Sequence, residues 1–191
     1  MKKIILFLLS VLPIFCHAQF VLTPNGFKSQ DDGKDFIVKP FPGKSATYLY
    51  DAVANAILVY GLANNSDRNS PNASNIEGEI INIFGTGSIQ VRKLKVFDYK
   101  VKYNMVIRFR DGRVRFDAPI IHEAYTYNGY GMKCVLGLSG SDISTGGSTI
   151  HVFRKDGDLK EKRIKESLDN LFNDIIERIC NSIEGDSDDD W

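Results

Sequence analysis

Four arginines, Arg108, Arg110, Arg113 and Arg115, surround an Asp111-Gly112 dipeptide, and their spacing is the sharpest chemical signal in the chain. Asp-Gly accommodates the positive φ that both central residues of a type I′ hairpin turn require. A two-residue loop there sets Arg110 opposite Arg113 and Arg108 opposite Arg115. Side chains alternate along a strand, so all four guanidiniums fall on one face, while Ile107, Phe109, Val114 and Phe116 share the other. The apolar set marks the core side. Like charges directly opposed across a ladder repel, so the outer set calls for an explanation, and Lys102 falls on the same face farther along. Planar guanidinium forks match the oxygens of carboxylate, sulfate and phosphate. Arg108, Arg110, Arg113, Arg115 and Lys102 are therefore the candidate ligand-binding residues, suited to an anionic glycan, a lipid headgroup or an envelope protein. The plain alternative is a set of solvated edge-strand charges that discourage edge pairing or meet acids of a neighbouring element.

The inventory for catalysis is thin, and no catalytic residue, metal site or cofactor is predicted. His122 and Glu123 are strand neighbours that point to opposite faces, so they do not form an adjacent dyad. A secreted hydrolase built on His122 or His151 with distant carboxylates is the competing class, and an apolar ligand carrier is a third. In Gly137-Leu138-Ser139-Gly140-Ser141 the final glycine comes one residue too early for a nucleophile elbow. Gly43-Lys44-Ser45 ahead of a helix invites comparison with a phosphate loop, but the required earlier glycine is Val38, and Pro40 and Pro42 remove backbone donors. Ser45 is read instead as a helix N-cap. Tyr125, Tyr127 and Tyr130 suit either sugar contact or ordinary packing. Cys134 and Cys180 lack metal-ligand spacing. A disulfide between them and two buried free thiols fit their positions equally well.

Met1-Lys2-Lys3, an apolar run of about a dozen residues and Cys16-His17-Ala18 before Gln19 have the layout of a secretory signal peptide. The run is shorter than the roughly 20 residues a membrane-spanning helix needs. The expectation is an exported chain starting at Gln19, without a transmembrane segment, in the periplasm, at the outer surface or in the medium. Phe15 argues against lipoprotein anchoring through Cys16, and nucleic acid is not an expected partner. Charge is balanced overall but not along the chain: 90–115 holds nine Lys/Arg against two Asp, a net of +7, and 156–191 holds twelve Asp/Glu against five Lys/Arg, a net of −7.

The elements that would position these groups follow from periodicity. A short strand at 35–42 precedes a helix whose Leu49, Val53, Ala56, Ile57 and Tyr60 share one face, with Gly61 at its end. An Asn/Ser-rich loop at 64–75 leads into β-branched and aromatic strands at 79–84, 88–96, 100–110, 113–117 and 121–127, then 133–138 and 149–153. Asp158 with Glu161 forms a capping-box pattern, and Ile164, Leu168, Leu171, Phe172, Ile175, Ile179 and Ile183 make a continuous apolar stripe. The fold expected is α+β: an antiparallel β-sheet with a shorter N-terminal helix and a long C-terminal helix on one face, plus an additional hairpin. The division is 1–18 signal peptide, 19–34 N-terminal extension, 35–184 a single domain and 185–191 an acidic disordered tail.

The run Val38-Lys39-Pro40-Phe41-Pro42-Gly43-Lys44-Ser45-Ala46, Leu49-Tyr50 on the first helix and the Ala18-Gln19 junction together resemble a family of unknown function among secreted Bacteroidetes proteins, described as having a TATA-binding-protein-like (TBP-like) fold. The likeness covers roughly 35–130, closed by the long helix. It implies a β-α-β-β-β-β-α order, but no catalytic residue and no ligand. The fold name does not carry DNA binding with it.

Overall fold

The computed structural model describes residues 18–62, 80–92, 96–127, 131, 133–140 and 149–185. The leader, the Asn/Ser-rich loop, Tyr130 and the acidic stretch after Gly185 lie outside the described residues. In chain order the elements are β1 (Phe20–Thr23), β2 (Gly26–Ser29), β3 (Phe36–Pro40), α1 (Ala46–Val59), β4 (Ile80–Arg92), β5 (Val96–Arg110), β6 (Arg113–Asp117), β7 (Ile120–Tyr127), β8 (Lys133–Ser139), β9 (Thr149–Phe153) and α2 (Lys162–Gly185). The fold is α+β. No helix among the described residues is long and apolar enough to cross a membrane.

β5 is the axis of the sheet. One of its edges pairs with β4 from Val96↔Arg92 to Arg108↔Ile80. The other edge is shared: Ile107 to Arg110 pair with β6, while Lys100 to Asn104 pair with β7. Beyond β5 the sheet therefore forks into an arm β6-β3 and an arm β7-β8-β9. Both helices pack on the inner face, over Met105, Ile107, Phe109, Val114 and Phe116, all essentially without solvent contact. α1 contributes Leu49, Ala52, Val53, Ala56 and Ile57. α2 contributes Ile164, Leu168, Phe172, Ile175, Ile176, Ile179 and Ile183. Phe172 anchors the contact, meeting Phe27 and Tyr103 edge to face at 4.9 and 5.0 Å. Truncating so buried an aromatic costs about 3–5 kcal/mol.

Four sequence expectations give way to packing. Strands 79–84 and 88–96 are one strand, β4, running straight through Gly85-Thr86-Gly87. Those glycines make room rather than a turn: a Cβ at Gly85 would stand 2.4 Å from the Tyr103 ring, and one at Gly87 2.9 Å from Leu171 Cδ1. The sheet is not wholly antiparallel, because β9 lies parallel to β8; a connection of nine residues between Ser139 and Thr149 exceeds the short loops that join antiparallel neighbours. Asp158 and Glu161 make no capping box. The chain 158–161 is tied to β9 instead, with Lys160 N and Glu161 N both donating to Val152 O, and Glu161 O accepts from Lys165 N as the helix starts.

The fourth concerns 19–34, read as an N-terminal extension, which holds the β1-β2 hairpin. Phe20, Leu22 and Phe27 enter the core. The edge of β1 is satisfied by side chains of α2: Phe20 N donates to Asn173 Oδ1 and Asn173 Nδ2 donates to Phe20 O, both at 2.9 Å. Leu22 N donates to Asp169 Oδ1 at 2.7 Å. Asp169 and Asn173, one helical turn apart, thus stand in for a neighbouring strand.

Candidate functional site

The hairpin has the register its turn chemistry predicts. Arg108 faces Arg115 and Arg110 faces Arg113 across the β5-β6 ladder, and Gly112 holds the turn at φ 74°. Ile107, Phe109, Val114 and Phe116 are buried beneath it. The guanidiniums are on the uncovered side of the sheet, opposite the helices.

Asp117, which sequence reasoning passed over, divides the four into two unlike pairs. It continues the alternation of Arg113 and Arg115, so it lies on the same face. Its carboxylate accepts from Arg108 Nε at 2.9 Å on Oδ2 and from Arg115 Nε at 2.6 Å on Oδ1. Arg115 also stacks 3.8 Å from the centroid of Phe36, the residue paired with Asp117 across β3-β6. Arg108 and Arg115 are thereby fixed by a shared acid and, for Arg115, by an aromatic face. Arg110 and Arg113 are exposed and form no ion pair among the described residues.

The acid nearest that outer pair is committed elsewhere. Asp111 Oδ1 accepts from Ala46 N at 2.8 Å, capping α1 from outside the helix. Ser45 Oγ accepts from Tyr48 N at 3.2 Å, as its N-cap reading requires. The turn is clamped to the same segment by its backbone, with Gly112 N donating to Lys44 O at 2.8 Å and Phe41 N donating to Gly112 O at 2.7 Å. Lys44 does not face a phosphate pocket. Its ammonium donates to Ile183 O at 2.6 Å in the last turn of α2, where a cation suits the helix dipole, and lies 4.4 Å from the Tyr48 ring centroid. Gly43-Lys44-Ser45 is a structural junction of two helix ends and a hairpin turn.

Lys102 lies in a different cluster. It pairs with Glu123 at 3.0 Å, in register across β5-β7, and Glu123 also pairs with Lys133. The Glu123 carboxyl is held below the ordinary carboxylate range by hydrogen bonds from Lys133 and Lys102, and Lys102 is raised by its bond to Glu123. Lys133 lies 4.3 Å from the Tyr125 ring centroid. Tyr125 and Tyr127 meet edge to face at 5.7 Å, so they do not form a flat platform.

The histidines are not brought to a carboxylate among the described residues. His122 is the extra residue of a bulge, since Lys102 pairs with Glu123 and Tyr103 with Ile121. His151 lies against Gly137 and Gly140, where an added Cβ would come within 2.7 Å of its Cδ2 and 2.4 Å of its Nε2 respectively. The glycines around Ser139 seat that ring, and Ser139 Oγ donates to Arg154 O at 3.2 Å. No disulfide joins Cys134 and Cys180, and burial pushes Cys180 up to about 12. Among the described residues, clefts open to solvent at two places. One of about 500 Å³ lies at the fork of the sheet, lined by Phe27, Asp35, Arg115, Asp117, Ile120 and Leu138 among others. One of about 470 Å³ lies between β4 and α2, beside Gly87, Tyr103 and Leu171.

No protein-family model matches the chain, and no curated protein matches it. Among solved structures, a DUF4468 family protein from Bacteroides ovatus ATCC 8483 is similar with a TM-score of 0.48 at 13% identity, covering 78% of this chain and 84% of that one. A TBP-like protein from Parabacteroides distasonis ATCC 8503 is similar with a TM-score of 0.41 at 21% identity, covering 76% of this chain and 91% of that one.

Proposed function

We propose that this chain is an exported, non-enzymatic binding or assembly domain of the cell envelope that holds an anionic partner on the outer face of the β5-β6 hairpin. One observation carries the reading: Arg110 and Arg113 stand directly opposite each other and exposed, while the neighbouring Asp111 is turned away to cap α1. A repulsive pair held in a clamped turn is unfavourable by itself and becomes favourable when one anion bridges both forks. Arg108 and Arg115, already shared with Asp117, shape the face and raise its potential rather than grip the ligand. Acidic glycan, anionic headgroup and acidic envelope protein offer the same oxyanion chemistry.

The test compares the protein with an Arg110→Gln/Arg113→Gln variant for binding to heparin, to phosphatidylglycerol vesicles and to envelope extract. Salt-sensitive binding that the folded variant loses supports the reading and identifies which source the face selects. Equal behaviour of the two proteins returns the arginines to ordinary surface charge.

A further inference from the structure

Among the described residues β5 is paired along both of its edges and β4 along one. The cleft of about 470 Å³ between β4 and α2 follows the other edge of β4, since the consecutive residues 86–90 all line it. Successive side chains of a strand point to opposite faces. Ile89 and Val91 are buried on the inner face, and Ser88 and Gln90 are exposed on the outer one. What these neighbours share is the backbone edge. Alternate residues there turn their N–H and C=O groups away from β5. Thr86 has contacts of its own, so the stretch that matters is 88–90.

The opposite wall is the flank of α2. Leu171 and Ile175 give it an apolar base, and Asn170, Asp174 and Arg178 line the same cleft from exposed positions. Asp174 and Arg178 are one turn apart with the acid first, the order that favours an ion pair on a helix. Among the described residues they pair neither with each other nor with another charge, whereas Lys165 and Asp169 at the same spacing on α2 close at 2.6 Å. Strand geometry matches this open pair. Four residues of helix rise about 6 Å, and alternate residues of an extended strand are about 6.6 Å apart.

We infer that the slot between β4 and α2 takes an extended peptide of a partner protein, which adds as a strand to the edge at 88–90 and sets a basic side chain on Asp174 and an acidic one, two residues away, on Arg178. Main-chain bonds supply the affinity and alternate side chains the selectivity. An apolar residue two positions beyond the base, over Leu171, completes the pattern. The slot lies on the edge of β5 opposite β6, so this site and the anion site of the hairpin stand or fall separately.

Binding is measured by fluorescence anisotropy with labelled Thr-Leu-Thr-Lys-Thr-Glu-Thr and its sequence reversal, which present one side-chain pattern in the two strand directions, and with the pair in which lysine and glutamate are exchanged. Each peptide is also made with alternate backbone nitrogens methylated, in either of the two registers, which blocks strand addition and keeps every side chain. The parent is expected to prefer the first pair about fivefold. Methylation in the register that faces β4 is expected to weaken binding about tenfold through the lost backbone bonds. Asp174→Arg/Arg178→Asp, an exchange of exposed side chains whose fold is checked by circular dichroism, is expected to invert the preference between the two pairs. Equal binding of methylated and unmethylated peptides in both registers overturns strand addition, and a preference unmoved by the exchange overturns the role of Asp174 and Arg178. Failure of all four unmethylated peptides to bind at millimolar concentration overturns the site. A parent that dimerises in sedimentation velocity, and is returned to monomer by the same exchange, assigns the slot to a second copy and overturns the partner peptide.

Discussion

The two ends of the outer face carry similar charges under opposite arrangements. Around Glu123, Lys102 and Lys133 converge on one carboxylate, and Lys133 also covers Tyr125. At the hairpin, Asp117 serves only Arg108 and Arg115, and Arg110 and Arg113 are left facing each other. A count of basic residues treats these regions alike. What separates them is where the acids point: Glu123 and Asp117 lie on the face, and Asp111 is diverted to the start of α1. A cation becomes available to a partner through the commitments of its neighbours as much as through its own exposure.

The comparison breaks first at Asp117. Asp117→Asn strands two guanidiniums beside two more, and the loss of charge-assisted hydrogen bonds at a carboxylate only 19% exposed is expected to cost about 2 kcal/mol; equilibrium urea unfolding measures it. A cost no larger than that of Glu123→Gln would mean that the two acids are equivalent after all. Next in size is binding. Arg110→Gln/Arg113→Gln is expected to weaken heparin binding about tenfold, or about 1.4 kcal/mol, by removing two charge-assisted contacts. Lys102→Gln/Lys133→Gln should leave it within about twofold. Equal losses from the two double variants, measured by salt-matched titration, would erase the distinction between the regions.

Asp111→Ala sharpens the comparison at slightly smaller scale. It removes a cap from α1 and is expected to lower stability by about 1 kcal/mol, without weakening heparin binding, since Asp111 is not the counter-charge of the arginines. The smallest effect is that of pH on Glu123. Its folded pKa lies below its ordinary value of 4.5, so its contribution is present above that value and is lost as pH falls through the depressed folded pKa. An acid unfolding series should show a slightly shallower loss of stability below about pH 4.5 in Glu123→Gln than in the parent.

Much of this arrangement was legible beforehand. Asp-Gly chemistry and period-two alternation set the hairpin register and its buried side, and the apolar stripe located α2, although Ile176 is buried where Leu171 is only partly so. Asp117 was also within reach, two residues after Arg115 on the same alternation, which puts an acid on the face of the arginines. The ladder from Lys102 to Glu123 needed the β5-β7 register and its bulge at His122, which no local signal supplies. Gly85 and Gly87 looked like a turn because a single sequence does not show the Tyr103 ring and Leu171 side chain that require them. The four-residue strands β1 and β2 were hidden for a related reason: the partners of β1 include polar side chains on a distant helix, so the segment carries little local strand signal of its own.

That distant partnership governs when the fold can close. The bonds between Phe20 and Asn173 join residues 153 positions apart, so the layer of β1, β2 and α2 cannot form until α2 has been synthesised. At about 5–20 residues per second, Phe20, Leu22 and Phe27 wait roughly 8–30 seconds for the helix that covers them. Contacts of this range also slow folding itself, toward milliseconds to seconds. During that interval the nascent chain remains a client for chaperones and an extended substrate for any machinery that handles unfolded protein.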